Sequence, residues 1–413
     1  MPAPQALATN VAAAPLSAGR ACLAGFVALV IAMGIGRFAF TPLLPLMQAA
    51  GQLDLTAAAW LASANYLGYF AGASTVSRLG LNPQTLIRAS VPLIALLTAA
   101  MSWTDQMAGW FALRFGAGVL SAWVLVGTSA WCLAELARSG RPALAGLLYA
   151  GVGTGISLAG LYCLLGAGLQ LPATTLWWQL GALAALLAAA VLVLVPAADG
   201  PERSAAPVAA AAASADASPP AQRRLVIAYG CFGFGYILPA TFLPAMARAV
   251  LDDPAFFGWA WPVFGLAAAA STWLASRYFS SASRIQLWVA SQLLMAAGTA
   301  LPAFWPSAAT VLLSATLVGG SFMVITMAGL QEARARAGAQ ATRLLGQMTA
   351  AFAVGQIAGP IASALLGLGF AGAMDGIRVA LVIATLVLVA SALWLLRRWP
   401  LTIIQPKDLP HEP

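Results

Sequence analysis

Gly34-Ile35-Gly36-Arg37-Phe38-Ala39-Phe40-Thr41-Pro42-Leu43-Leu44-Pro45 sets a permanent cation between two glycines and two prolines inside an otherwise apolar run. A guanidinium does not shed its proton, so an arginine in hydrocarbon must find a partner or water, and such a residue is by default a functional-site candidate. At an offset of 199 residues, Gly233-Phe234-Gly235-Tyr236-Ile237-Leu238-Pro239-Ala240-Thr241-Phe242-Leu243-Pro244 repeats the glycines, the last leucine and the last proline. The second copy carries Tyr236 where the first carries Arg37.

The surrounding composition decides what kind of chain this is. Of 413 residues 61% are apolar and only 8% charged, against about 25% charged in a soluble globule. Apolar runs long enough to cross roughly 30 Å of hydrocarbon as helix fall near 21–46, 57–76, 85–103, 108–132, 143–166 and 175–195, then near 225–247, 257–276, 286–304, 308–330, 344–369 and 377–396. The expectation is an all-α polytopic membrane protein of twelve transmembrane helices. The same offset of 199 pairs Met47 with Met246, Trp60 with Trp259 and Arg78 with Arg277, so the helices fall into two pseudo-symmetric six-helix bundles. An even number of helices per unit gives a parallel repeat, one of the arrangements of secondary transporters.

The expected boundaries are a disordered tail over 1–20, a first bundle over 21–195, a linker over 196–223 rich in Ala, Pro and Ser, a second bundle over 224–396 and a tail over 397–413. With both termini cytoplasmic, sixteen of the twenty Lys and Arg residues lie inside, Arg248 and Arg378 outside, and Arg37 and Arg114 in the membrane. That is the positive-inside pattern. Trp60, Trp103, Trp110, Trp177, Trp178, Trp259, Trp261 and Trp305 gather at the outer boundary, as an aromatic belt does. The net charge of +8 thus reports topology, and no nucleic-acid surface is expected. Cys22, Cys132, Cys163 and Cys231 have neither metal-ligand nor disulfide-framework spacing.

The run GIGRFAFTPLLPLM, followed by WLASANYLGYFAGA, resembles the YbfB-type branch of the major facilitator superfamily. Arg114-Phe115-Gly116-Ala117-Gly118 is similar to the superfamily's Arg-x-x-x-Gly pattern, and Gly355-Gln356-Ile357-Ala358-Gly359-Pro360 to its Gly-x-x-x-Gly-Pro pattern. The loop after the second helix departs from the family's signature: Ala73 stands for its Gly and Ser77 for its Asp, while Arg78 and Gly80 are kept. The resemblance implies the major facilitator fold, two bundles rocking about a central cavity lined by helices 1, 4, 7 and 10.

No Asp, Glu or His falls in a helix core: Glu135 and Glu332 sit at helix ends and His411 in the tail. This inventory lacks the usual proton-relaying side chains, and no GxxxxGK[ST] phosphate loop exists. No enzyme activity, cofactor or metal is expected. What remains is cationic. Arg37 and Arg114, without buried counter-ions, suit a substrate carboxylate, which arginine grips bidentately. The structural alternatives are that Arg37 bonds the carbonyls of Phe38 and Thr41, which Pro42 and Pro45 leave without donors, and that Arg114 ties its helix to helix 1. Asn65, Tyr66, Tyr149, Tyr236, Gln347 and Gln356 are the polar groups expected to face a cavity, each with the alternative of an ordinary interhelical contact. Pro42, Pro45, Pro239, Pro244, Gly355, Gly359 and Pro360 are the candidates for bending or gating. Gly68-x-x-x-Gly72, Gly151-x-x-x-Gly155 and Gly355-x-x-x-Gly359 offer small faces, read either as plain packing or as sliding seams between the halves.

The sequence thus predicts a secondary active transporter of the bacterial inner membrane, working by alternating access on a small organic anion held at Arg37 and Arg114. Its expected partners are that solute, the lipid bilayer and a proton as candidate coupling ion, with a monomeric chain. Proton-coupled efflux of hydrophobic or amphipathic compounds is one alternative. A non-transporting membrane sensor or scaffold is the other.

Overall fold

The computed structural model describes residues 17–198, 219–250, 254–367 and 373–397. Among them the chain forms twelve long helices. The first half holds α1 (Ala18–Ala49), α2 (Leu55–Thr75), α3 (Pro83–Ala100), α4 (Met107–Arg138), α5 (Ala145–Gly168) and α6 (Ala173–Leu194). The second half holds α7 (Pro219–Val250), α8 (Pro254–Tyr278), α9 (Arg284–Phe304), α10 (Ala308–Ala337), α11 (Ala341–Gly367) and α12 (Ala373–Leu396). All twelve expected helices are present. Most of the expected tails and linker, 1–16, 199–218 and 398–413, lies outside the described residues.

Where the ends differ, local chemistry explains it. Helix α1 starts at Ala18, inside the expected tail, because the Ser17 side chain accepts the Arg20 N–H and caps it. Helix α7 starts at Pro219, inside the expected linker: proline is tolerated in a first turn, where its missing N–H has no partner to lose, and Ala221 and Leu225 are already buried. Helices α4 and α10 run on past 132 and 330. Glu135 pairs with Arg138 on the next turn, and Glu332 with Arg336 at 2.5 Å, so charge ends the apolar stretch without ending the helix. The C-terminus of α6 is capped from other helices. Arg20 donates to the carbonyls of Leu194 (3.1 Å) and Val193 (2.9 Å), and Arg88 to those of Leu192 and Val195 (both 2.5 Å). Cations there satisfy orphan carbonyls and oppose the helix dipole.

Ten of the twelve helices are long and apolar enough to cross a membrane. The other two, α2 and α8, are 21 and 25 residues long but diluted by polar and indole-bearing residues such as Asn65, Tyr66, Trp261 and Thr272. Their position explains why that is tolerated. The two halves meet chiefly along α5 against α8 and α2 against α11, so each less apolar helix has a face covered by protein.

Repeated glycines set how the helices of each half cross. Gly34 of α1 meets Gly155 of α5 backbone to backbone: a Cβ on Gly155 would lie 2.7 Å from the Gly34 Cα. In the second half the repeat-related Gly233 of α7 meets α11, where a Cβ on Gly355 would lie 2.5 Å from the Phe234 nitrogen. The three Gly-x-x-x-Gly faces all pack inside a half, Gly68 and Gly72 on α4, Gly151 and Gly155 on α1, Gly355 and Gly359 on α7. The reading of these faces as seams between halves is therefore corrected. The spacing permits close approach but does not choose the partner. The seam residues are others: Gly153 and Gly160 of α5 against Gly265 and Pro262 of α8, and Gly346 of α11 against Ala73 of α2 and Val76 just beyond its end. Ser157 of α5 also donates to the Pro262 carbonyl at 2.8 Å.

Candidate functional site

The middle of α1 is not α-helical. Val30–Arg37 forms a π-helical segment, with the Phe38 N–H reaching back five residues to the Met33 carbonyl at 3.1 Å. Such a bulge widens the helix and releases backbone acceptors. The two glycines and the prolines beyond them make it available here. The Thr41 N–H turns to Phe38 at 3.2 Å, where a regular turn would use the Arg37 carbonyl, and α4 reads what is released. Arg114 donates to the carbonyls of Gly36 at 3.1 Å and Arg37 at 3.0 Å, with its guanidinium 4.9 Å from the Phe40 ring centroid. Asn65 of α2 donates to the Arg114 carbonyl at 3.0 Å, extending the tie to a third helix. Arg114 is 4% exposed; its two terminal nitrogens are on backbone carbonyls and its Nε has no partner.

Arg37 is placed differently. It is 2% exposed and lies 3.7 Å over the Tyr69 ring, with Phe38 at 5.4 Å and Tyr66 at 5.8 Å. One terminal nitrogen donates to the Gln356 side chain of α11, 319 residues away, so this bond joins the two halves. The structural alternative of bonds to the Phe38 and Thr41 carbonyls is not what Arg37 adopts, because Phe38 is taken by the Thr41 N–H. The Arg37 Nε and Nη1 groups have no partner, and neither has Nε2 of Gln356. No carboxylate among the described residues is ion-paired with Arg37 or Arg114. Glu135 and Glu332 are engaged with Arg138, and with Arg336 and Arg284.

Phe38 and Tyr69, which flank Arg37, also line a cavity of about 20 Å³, room for about one water. The first half lines it with Met33, Phe38, Tyr69, Leu125 and Val152, and the second with Tyr229, Tyr236, Phe322, Met323, Thr326 and Phe352. Phe38, Phe322, Tyr236 and Phe352 of its lining belong to a longer run of packed rings. Phe38 meets Trp261 at 6.2 Å, Trp261 stacks on Phe264 at 5.2 Å, and Phe264 on Phe322 at 5.3 Å. Phe322 stacks on Tyr236 at 5.0 Å, and Tyr236 on Phe352 at 5.9 Å. The Thr326 hydroxyl is turned to its own helix at the Phe322 carbonyl, 2.9 Å away, and the buried Tyr236 hydroxyl has no partner.

The expected site residues therefore separate. Arg37, Tyr66, Tyr236 and Gln356 are gathered around the cavity or its cation, whereas Arg114 and Asn65 brace the bulge. Tyr149 shares a 2.7 Å hydrogen bond with Ser129 of α4 and does not line the cavity, and Gln347 is exposed. Pro45 and Pro360 sit inside continuing helices, and Pro42 lies in the first turn of Phe40–Ala49. Pro239 and Pro244 both fall within α7. Sequence reasoning missed Tyr69, although it lies one turn beyond Asn65. It also missed the ring wall, since aromatic residues in an apolar helix carry no mark of which way they face.

A long-helix bundle of two like halves, with a cavity between them and a buried cation behind its lining residues Phe38 and Tyr69, defines the class as a multi-pass membrane transporter. Residues 29–396 match the family model described as "Uncharacterised MFS-type transporter YbfB", and the chain belongs to that family of the major facilitator superfamily. Among solved structures, the fold is similar to the crystal structure of the human organic anion transporter MFSD10 (TETRAN), with TM-score 0.69 and 16% identity over 92% of this chain and 99% of that one. Among curated proteins no sequence matches the chain.

Proposed function

We propose that this chain moves a small organic anion across the membrane by alternating access, with Arg37 as the anion-binding group. The observation that carries the reading is a guanidinium 2% exposed whose Nε and Nη1 have no partner. An unpaired buried charge is costly, and a bound carboxylate supplies both the missing charge and the missing acceptors. Gln356, a neutral acceptor from the other half, occupies only one of those donors. That MFSD10, which shares the fold, is an organic anion transporter is consistent with this choice.

On this reading Arg114 serves the site by holding the α1 bulge open rather than by touching substrate. The two bundles, 21–195 and 224–396, rock about the α5–α8 and α2–α11 seams, joined by a cytoplasmic linker. Both termini are cytoplasmic in a bacterial inner membrane, where the chain acts as a monomer and catalyses no covalent chemistry. Transport runs as anion exchange or as entry of the anion with its proton. The alternative of proton-antiport efflux lacks support from a carboxylate in the helix cores, because Glu135 and Glu332 sit at helix ends in ion pairs.

The test is counterflow of labelled organic anions into sealed liposomes that hold this chain alone. Uptake driven by a trans anion or a proton gradient, without nucleotide, is expected. An absolute need for ATP refutes it. So does movement of lipophilic cations with no anion flux.

A further inference from the structure

Accepting the anion reading above, on which this inference rests, the geometry points to one substrate class: a monocarboxylate with a flat, apolar, aromatic body. Three observations converge on it. The first is charge capacity. Of the two buried arginines, Arg114 holds both terminal nitrogens on the Gly36 and Arg37 carbonyls and keeps only its Nε unpartnered, whereas Arg37 keeps Nε and Nη1 and is held otherwise by one neutral side chain. One carboxylate fits the donors Arg37 has left, and a second would find only the single Nε of Arg114, a poorer site than a guanidinium fork.

The second is the wall. The second half contributes Tyr229, Tyr236, Phe322, Met323 and Phe352, and the one aliphatic hydroxyl there, that of Thr326, is turned to a backbone carbonyl. Beyond its tyrosine hydroxyls such a wall has no group to exchange hydrogen bonds with sugar-like or polyol hydroxyls, most of which would enter unpaired and at desolvation cost. A flat ring suits it, offset against Tyr236 and Phe352, whose own planes are already within 28° of each other. The third is the pair of loose donors. Tyr236 lines the cavity and its hydroxyl has no partner, and Nε2 of Gln356 is unpartnered beside Arg37. A carboxylate that takes Arg37 from the Gln356 oxygen leaves that amide free to donate to the same carboxylate, so the ligand joins the halves where the Arg37–Gln356 bond did. The present cavity of about 20 Å³ holds about one water, so such a ligand enters as the halves part.

Binding to the detergent-purified full chain, followed by calorimetry, tests this with 2-naphthoate, benzoate, acetate, succinate and neutral 2-naphthamide. Affinity is expected to rise from acetate through benzoate to 2-naphthoate by roughly fourfold per methylene-sized increment of buried area. Succinate and naphthamide should each bind at least about tenfold more weakly than naphthoate. Tyr236→Phe keeps the ring stack and is expected to fold, while weakening naphthoate roughly tenfold and leaving naphthamide less affected. Acetate or succinate binding as tightly as naphthoate, with Arg37→Gln still abolishing binding, overturns the aromatic class and leaves the anion reading standing. Naphthamide equal to naphthoate, with Arg37→Gln without effect, overturns both. Failure of every anion to bind counts against both as well.

Discussion

Replacing Arg37 by glutamine separates the anion site from a structural role, because the surroundings of Arg37 allow both effects to be sized. In the ligand-free protein the side chain makes one hydrogen bond, to Gln356, and one close ring contact, with Tyr69 at 3.7 Å. Losing the ring contact costs about 0.5–2 kcal/mol, and glutamine can still reach Gln356. Against that loss, the variant no longer buries a charge that has two unpartnered nitrogens. The terms oppose each other, so expression and melting temperature should change little. Binding has no such compensation. A charge-assisted contact to a carboxylate is worth about 1.5–3 kcal/mol, which is a tenfold to hundredfold loss of affinity at roughly 1.4 kcal/mol per decade. Arg37→Lys should recover only part of it, since an ammonium keeps the charge but loses the planar fork. Calorimetric titration with a transported anion, beside thermal melting of the same preparations, reads both quantities. Variants that are poorly folded while their inserted fraction binds with normal affinity would remove Arg37 from the binding site.

Gly34→Ala should destabilise the first half by about 1–3 kcal/mol, since its Cβ would overlap the Gly155 backbone, whereas Gly168→Ala, with open space around it, should melt within about 0.5 kcal/mol of the parent; equal melting of the two would sink the crossing argument. Arg88→Ala strips two acceptors at the end of α6 of their donor and should lower stability by about 1 kcal/mol with anion affinity unchanged, read by melting and titration together. Reporter fusions at Ala210 and Asp252 should report opposite sides of the membrane, with Ala210 cytoplasmic; equal readings would contradict the topology.

Much of the fold is legible in the linear chain because membrane insertion is decided segment by segment. Each run of about twenty apolar residues is helical on its own account, having no water to satisfy its backbone, and the 199-residue echo doubles the unit without reference to any contact. The helix ends are less so, since Glu135 and Glu332 end an apolar run while their own ion pairs carry the helix further. The site is legible only as an inventory. Arg37 and Arg114 look alike in sequence, both lone cations in apolar helices. What distinguishes them is the π-helical turn at Val30–Arg37, which turns the Gly36 and Arg37 carbonyls to Arg114 and leaves Arg37 to a glutamine in the other half. Helix crossings likewise choose the partners of the Gly-x-x-x-Gly faces, and bring Phe264, Phe322, Tyr236 and Phe352 from four helices into one run of stacked rings. Hydropathy and spacing are properties of a segment and survive in the sequence. Which donor is satisfied, and by what, is a property of residues brought together across the chain, and only the packed structure decides it.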